Sequence, residues 1–289
     1  MNAYFDIFSG ISGNMVLGAL FDLGLDYEEW KDEMKKLGLE GEYNLINEKA
    51  EKHGIGGRYF QVELLENEAH GHNHQHEVEH NHTHEHKHDH NHSHNHNHDH
   101  SHEHGHSHGR NLEDINYIID NSGFSSNVKE KAKAIFLNLA KAEAKINGED
   151  INEIHFHEVG AVDAIVDIVG SVLGLEMLGI DKIYSSKLHT GNGFVNCDHG
   201  KMPVPAPATM ELLEGVPVYS EGIEAEMVTP TGAAIISTLA ENFGARKEMK
   251  IIKSGYGAGS RDLPIPNLLR INLIEDIDKK EKSEQKKSQ

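Results

Sequence analysis

AYFDIFSGISGNMVLGALFDL, residues 3–23, places an apolar run, a glycine- and serine-rich loop and a helix-forming segment in direct succession. The apolar run 3–8 predicts a short buried strand, and the loop 9–13 predicts a tight turn. Apolar residues then recur at helical spacing from residue 14 to 23. This stretch therefore predicts a strand–loop–helix unit, the building block of α/β domains.

The rest of the chain continues the alternation of short strands and helices. Helices are predicted over 27–37, 112–121, 128–146, 160–178, 206–214 and 231–241, and strands over 181–186, 192–196, 249–256 and 268–274, with a strand pair over 42–65 about a turn at 53–57. We therefore expect an α/β fold, and the pattern leaves the strand order open. The expected organisation is an α/β part over 1–66, a disordered His-rich insertion over 67–110, the remainder of the α/β core over 111–275 and a disordered charged tail over 276–289.

Composition restricts the possible partners. The formal net charge is −20 with histidine neutral, which disfavours nonspecific binding to nucleic acid or to anionic membranes. The single cysteine, Cys197, excludes an internal disulfide and fits a reducing cytoplasm. The first residues lack a basic region followed by an apolar run, and no window is long and apolar enough to span a membrane. The sequence thus predicts a cytoplasmic protein.

Histidine dominates the predicted insertion and indicates a late transition metal. Nineteen histidines stand there, on almost every second residue. Imidazole suits nickel, zinc and copper and suits calcium or magnesium poorly. We expect this tract to act as a metal reservoir, through His70, His72, His74, His76, His80, His82, His84, His86, His88, His90, His92, His94, His96, His98, His100, His102, His104, His106 and His108.

A second group of metal-binding side chains lies at the start of the long helix predicted over 160–178. His155 and His157 would share one face of a strand, and Glu158 would stand just before the helix. Asp163 and Asp167 are four residues apart and share a helix face that is otherwise apolar. Two histidines with carboxylates form a plausible divalent-metal set. Helix caps and hydrogen-bonded histidines explain the same residues about equally well, and the density of ligand types favours function.

Four loops are candidates for contact with an anion or a cofactor. The loop after the first strand contains Asp6, Ser9, Gly10, Ser12 and Gly13, whose backbone N–H groups could hold a phosphate at a helix start, with a cation on Asp6. Taken alone this signal is weak, because most strand–Gly–helix loops are merely turns. The other candidates are His199 in a proline-rich rigid loop, Thr231 at a helix start where capping is the stronger interpretation, and Arg261 in a glycine-rich turn where a surface salt bridge is the alternative.

Taken together, these motifs resemble a known family. The motifs are DIFSGISGNM from Asp6, HFHEVGAVDAIVDI from His155, HGKMPVPAPAT from His199, TPTGA from Thr229 and GYGAGSRD from Gly255. In combination they resemble the nickel insertion proteins of lactate racemase cofactor maturation, the LarC family. The motifs span residue 6 to about residue 270, nearly the whole predicted ordered chain.

The resemblance implies an activity and partners. Members of that family place nickel into pyridinium-3,5-bisthiocarboxylic acid mononucleotide and form the nickel-pincer nucleotide, with two sulfur–nickel bonds and one carbon–nickel bond. The reaction, a cyclometallation of the lyase class, consumes CTP with manganese or magnesium, and the lactate racemase apoenzyme receives the product. The CTP domain belongs to a C-terminal half that this chain lacks and that some members join by a ribosomal frameshift. Asn14 also departs from the family pattern, which usually has Asp there.

The resemblance also suggests roles for the candidate residues. His155, His157, Glu158 and Asp163 would form the ordered metal or substrate site, with one histidine or Glu158 as the base. The loop from Asp6 would line a pocket for the phosphate or a cation. One alternative is a nickel storage or delivery protein without catalysis, which explains the tract but not the ordered loops. Another is a magnesium-dependent phosphohydrolase.

Overall fold

A seven-stranded mixed sheet organises the part of the chain that the computed structural model describes, which is residues 1–65, 110–154, 156, 162–197, 200–244 and 248–276. The strands are β1 (Asn2–Asp6), β2 (Tyr43–Lys52), β3 (Ile55–Leu64), β4 (Lys182–Ser185), β5 (Leu188–His189), β6 (Phe194–Cys197), β7 (Gly200–Pro203), β8 (Val218–Tyr219), β9 (Ala240–Phe243), β10 (Met249–Ala258) and β11 (Leu268–Asp276). The helices are α1 (Gly13–Leu23), α2 (Tyr27–Met34), α3 (Leu112–Asn121), α4 (Ser126–Asn147), α5 (Val162–Met177), α6 (Pro207–Leu212) and α7 (Pro230–Leu239), with a 3₁₀ turn at Lys35–Leu37.

The order of the large sheet is β2-β3-β10-β11-β1-β4-β9, which the sequence pattern had left open. Strand β1 runs parallel to β4 and antiparallel to β11, and β11 runs antiparallel to β10. The carboxyl ends of β1, β4, β9 and β10 therefore lie at one edge of the sheet, together with the amino end of β11. Loops at this edge are where open α/β sheets place their ligands. The predicted α/β class is confirmed.

Helix α1 lies directly on strand β10 because glycines face it there. A Cβ at Gly257 would overlap the carbonyl oxygen of Met15, and a Cβ at Gly255 would come within 2.7 Å of the backbone nitrogen of Leu23. Only glycine leaves room for the helix backbone at such separations. The close approach fixes α1, and with it the loop from β1 that leads into α1.

Helix α5 packs beside α1 around a single buried tryptophan. The indole Nε1–H of Trp30 donates to the carbonyl oxygen of Gly170 at 3.0 Å, and a Cβ at Gly170 would come within 2.5 Å of the Trp30 ring. The Trp30 ring also meets Phe21 and Phe60 edge-on, at centroid distances of 5.1 and 5.6 Å. This hydrogen bond gives the buried N–H a partner, as burial of an indole requires.

Most predicted helices and strands are present. Their first or last residues differ from the prediction where backbone geometry or sheet pairing ends the element. The helix predicted over 27–37 becomes α2 plus the 3₁₀ turn, and the helix predicted over 231–241 ends at Leu239 because β9 pairs with β4 from Ala240 onward. The hairpin turn narrows to His53 and Gly54, both at positive φ, which matches the twist of paired strands. The short strands β5, β7, β8 and β9 were not predicted.

Glu42 joins the two chain ends that flank residues 66–109. The N–H of Leu65 donates to its carbonyl oxygen at 2.9 Å, and the Arg110 guanidinium donates to both of its carboxylate oxygens at 2.8 and 2.7 Å. The chain therefore leaves the α/β unit and rejoins it at one point. The predictions of a disordered insertion and a disordered tail lie outside the described residues. Among the described helices, none is long and apolar enough to cross a membrane.

Candidate functional site

The loop that follows β1 is held from two sides at the carboxyl edge of the sheet. On one side, the N–H of Ile11 donates to the Met227 carbonyl at 2.8 Å, and the N–H of Thr229 donates back to Ile11 at 3.1 Å. Gly10 makes this pairing possible, because it has φ +84° and a Cβ there would lie within 2.7 Å of the Met227 side chain. The predicted loops around Ser9 and Thr231 are therefore neighbours.

Thr231 lies in the first turn of α7, and the cap of that helix is its neighbour Thr229. The Thr229 side chain accepts the N–H of Gly232 at 3.2 Å, as the capping interpretation predicted. A Cβ at Gly232 would come within 2.9 Å of the Cα of Ser12. The amino end of α7 therefore packs against the loop after β1.

On the other side of the loop stands the carboxylate of Asp167, on the face of α5 that meets the amino end of α1. The residue is partly exposed overall, but its Oδ1 is buried, and its carboxylate accepts the backbone N–H of Asn14. A Cβ on Gly13 would come within 2.5 Å of its Oδ2 and 2.6 Å of its Cβ. Its Oδ1 has no hydrogen-bond partner among the described residues. Burial first, and the nearby charge of Asp163 second, raise the pKa of Asp167 well above its usual value.

Asp163 lies one turn nearer the start of α5 and, like Asp167, is partly exposed. Its Oδ1 accepts the N–H of Ala164 at 2.8 Å, so the carboxylate partly caps its own helix. Burial raises the pKa of Asp163, and hydrogen bonds from the backbone oppose that shift. The charge of Asp163 thus acts on Asp167, whose carboxylate packs against Gly13 of α1.

Asp6 forms an ion pair with Arg270, which the sequence analysis did not select. Arg270 stands directly opposite Asp6 in the β1–β11 register, and its Nε donates to Asp6 Oδ2 at 3.1 Å. The signal was available, because Arg270 is the one cation in the apolar strand LLRINLIED. Asp6 thus has an arginine of the same chain as its partner, and the cation or phosphate predicted at this loop remains a prediction.

Of the remaining described candidates, Ser12 and Arg261 have side-chain hydrogen bonds within the chain, whereas Ser9 has none among the described residues. The hydroxyl of Ser12 donates to the Asn14 side chain at 2.6 Å, and the buried hydroxyl of Ser9 has no hydrogen-bond partner within the described ranges. The guanidinium of Arg261 donates to the Glu226 carbonyl at 2.6 Å and lies 3.7 Å from its carboxylate. Arg261 thus ties the loop after β10 to the segment that pairs with Ile11.

Several candidate residues lie outside the described ranges. These are His155, His157, Glu158, His199 and every histidine of the tract. Phe156, between the first two, is 2% exposed and its N–H donates to the Arg110 carbonyl at 3.4 Å. Within the described ranges, no group of three or more His, Cys, Asp or Glu side chains could hold a metal. The predicted ligand set therefore remains a prediction.

Comparison with known proteins identifies the family. A profile of the nickel insertion protein family matches residues 3–289. The chain belongs to this family. A relative from Desulfitobacterium hafniense (strain DSM 10664 / DCB-2), the pyridinium-3,5-bisthiocarboxylic acid mononucleotide nickel insertion protein, is 46% identical over 276 residues, which are 96% of this chain and 59% of the relative. The protein of the same name from strain Y51 is 45% identical over 276 residues, again 96% of this chain and 59% of the relative.

A relative from Dictyoglomus thermophilum, whose name proposes nickel insertion, is 45% identical over 275 residues, 95% of this chain and 61% of the relative. The chain therefore spans about three fifths of the length of these relatives. No solved structure matches the chain.

Proposed function

We propose that this chain handles nickel and pyridinium-3,5-bisthiocarboxylic acid mononucleotide in the insertion reaction that forms the nickel-pincer nucleotide. The observation that carries the proposal is the family match over residues 3–289, with relatives named for that substrate. Because the relatives are longer, we assign the use of CTP with manganese or magnesium to a C-terminal half outside this chain. Lactate racemase is the proposed recipient of the product.

The geometry at the carboxyl edge supports a substrate site between the loop after β1 and the start of α5. The loop is clamped by the segment around Met227 and by Asp167, so its backbone has a fixed shape. Fixed supports are what a reacting centre requires, since small displacements of the reacting atoms reduce the rate strongly. Asp163 opens the helix that follows the His-x-His-Glu segment, which brings it near those side chains along the chain.

The proposed chemistry needs a metal site and a base. Nickel gains one bond to a ring carbon and two to sulfur, and the ring carbon loses its proton. We propose that His155, His157, Glu158 and Asp163 hold nickel or the substrate, and that one of the histidines or Glu158 accepts that proton. Asp167 is a weaker candidate for a ligand, because its carboxylate packs against Gly13 of α1 and accepts the Asn14 N–H.

Mass spectrometry of the mononucleotide tests the proposal directly. The full chain is mixed with nickel, CTP, manganese and the bisthiocarboxylated mononucleotide, with and without the C-terminal half of a relative. We expect a nickel-loaded product only when the C-terminal half is present. Product without it would show that this chain is complete in itself. No product in either mixture would refute insertion and favour nickel storage or delivery.

A histidine substitution separates the site from the tract. In a chain without residues 70–108, the double variant His155→Ala/His157→Ala should lose both the product and the remaining tightly bound nickel. His53→Asn is the matched control, because His53 contacts only the loop at Leu263 among the described residues and stands at φ 54°, a conformation that asparagine adopts. Equal nickel binding by the double variant and the control would contradict the assignment of these ligands.

A further inference from the structure

The proposed substrate is an anion, whereas this chain is acidic. The phosphate and two thiocarboxylates of the mononucleotide outweigh the single positive charge of its pyridinium ring, and the chain carries a formal charge of −20. Like charges repel, so a protein of this charge needs cations placed locally to hold such a ligand. The inference below rests on the proposed function only for the identity of the ligand.

Arg270 is a partly exposed cation at the carboxyl edge of the sheet, and its contacts with neighbouring side chains fix its position. Its sequence neighbours Leu269 and Ile271 are fully buried, so Arg270 points to the opposite face of the sheet. There its side chain is 33% exposed, whereas that of Asp6 is 14% exposed. The guanidinium carbon lies 5.7 Å from the centre of the Phe8 ring, an attractive arrangement for a cation.

The guanidinium retains donors beyond those that its neighbours accept. Asp6 Oδ2 accepts from both Nε and Nη2, and the hydroxyl oxygen of Tyr256, which stands opposite Arg270 on β10, also accepts from the guanidinium. Burial lowers the pKa of Arg270, but Asp6 and Tyr256 outweigh that effect and raise it. A guanidinium has five N–H groups in a planar fork that matches phosphate. These contacts therefore orient the fork without exhausting it.

Lys187 brings a second cation to the same edge from the other side of β1. Strand β4, which precedes it, flanks β1 opposite β11. The Lys187 ammonium lies 4.3 Å from the centre of the Tyr219 ring. Ser186, the residue before Lys187, holds this segment against the end of β1: its N–H donates to the Phe5 carbonyl at 2.9 Å, and its hydroxyl accepts the Ile7 N–H at 2.9 Å. Two cations thus approach the Asp6 end of β1.

We propose that Arg270, assisted by Lys187, forms an anion subsite for the phosphate of a pyridinium mononucleotide. Arg270 would hold two phosphate oxygens through its planar fork, and Lys187 would add a point charge. Asp6 would compete with the phosphate for the guanidinium, so it limits the affinity while it orients the donor. This competition gives the subsite a signature that an ordinary structural ion pair lacks.

The test uses two variants that break the same ion pair and that should move the affinity in opposite directions. The probe is nicotinic acid mononucleotide, titrated calorimetrically into the full chain without metal, with its dephosphorylated riboside for comparison. Arg270→Met should weaken mononucleotide binding about tenfold or more, because a charged hydrogen-bond partner is lost. Asp6→Asn should strengthen it, because the guanidinium gains free donors. Both variants should unfold at similarly lowered temperatures, and neither should change riboside binding.

Lys182→Met is the matched control, since Lys182 pairs with Glu241 at 2.9 Å at the opposite end of β4. We expect that variant to bind the mononucleotide like the unchanged chain. The subsite is refuted if Arg270→Met binds the mononucleotide with unchanged affinity, or if Asp6→Asn weakens binding as much as Arg270→Met does. It is also refuted if the unchanged chain binds no mononucleotide. Binding through Arg270 without nickel-loaded product beside the C-terminal half would instead refute the proposed function and leave the subsite standing.

Discussion

Replacing Asp167 by asparagine and by alanine separates two roles for this buried carboxylate. The side chain accepts the Asn14 N–H at the start of α1, where Ser12 provides no capping hydrogen bond. Asparagine keeps an acceptor of the same shape, whereas alanine removes it. A buried N–H without a partner costs about 1–3 kcal/mol, and the cavity left by the carboxylate adds to that. We expect Asp167→Ala to be about 2–4 kcal/mol less stable than Asp167→Asn.

The raised pKa of Asp167 also predicts how the stability of the chain changes with pH. Since the folded-state pKa of Asp167 lies well above the unfolded value of about 3.9, folding takes up a proton between the two values. The stabilising contribution of this group is fully present below the unfolded pKa and is lost as pH rises through the folded pKa. Asp167→Asn removes that loss, so at pH 7 it should be at least as stable as the unchanged chain.

Urea unfolding across this pH range measures both effects. The unchanged chain should lose stability relative to Asp167→Asn as pH rises, and Asp167→Ala should remain the least stable variant at pH 7. The reasoning is wrong if asparagine destabilises the chain as much as alanine does at pH 7. That result would mean that the negative charge itself is required in the folded state, as it would be if a cation occupied the site.

Three further predictions concern the packing and the tract. Trp30→Phe should cost about 1–3 kcal/mol in urea unfolding, because the Gly170 carbonyl loses the buried indole donor. Gly257→Ala should lower the free energy of unfolding by more than about 3 kcal/mol, because a Cβ there overlaps an α1 carbonyl oxygen. The control Gly56→Ala, with open space around it, should leave this free energy nearly unchanged. Equal effects of the two variants would contradict the close packing of α1. Deleting 70–108 should lower nickel insertion when nickel is scarce and leave it intact when nickel is abundant, as assayed by product mass; equal loss in both conditions would contradict a reservoir role.

The local elements could be predicted from the sequence because their signals are local. Apolar spacing predicted α1 and α5, and the composition of LLRINLIED predicted strand β11. The sheet order could not be predicted, because it depends on contacts between distant segments. For example, β11 near the end of the described chain inserts between β10 and β1.

The candidate site was predictable as motifs but not as contacts. Asp6 was selected as a possible ligand for a cation or phosphate, yet its ion pair with Arg270 spans 264 residues and depends on the antiparallel register of β1 and β11. Asp163 and Asp167 were grouped as metal ligands because they share a helix face. Their different contacts follow from the close approach of Gly13 to Asp167, which no residue pattern within α5 reveals.

The anchoring at Glu42 makes the segment between Leu65 and Arg110 replaceable. Because both flanking residues bond to Glu42, the α/β unit meets the same two closely placed ends whatever length of chain runs between them. For a flexible segment, doubling the length costs only about 0.6 kcal/mol of closure free energy. Evolution can therefore lengthen, shorten or exchange this segment almost independently of the α/β unit, and an engineer can insert a different sequence at the same place.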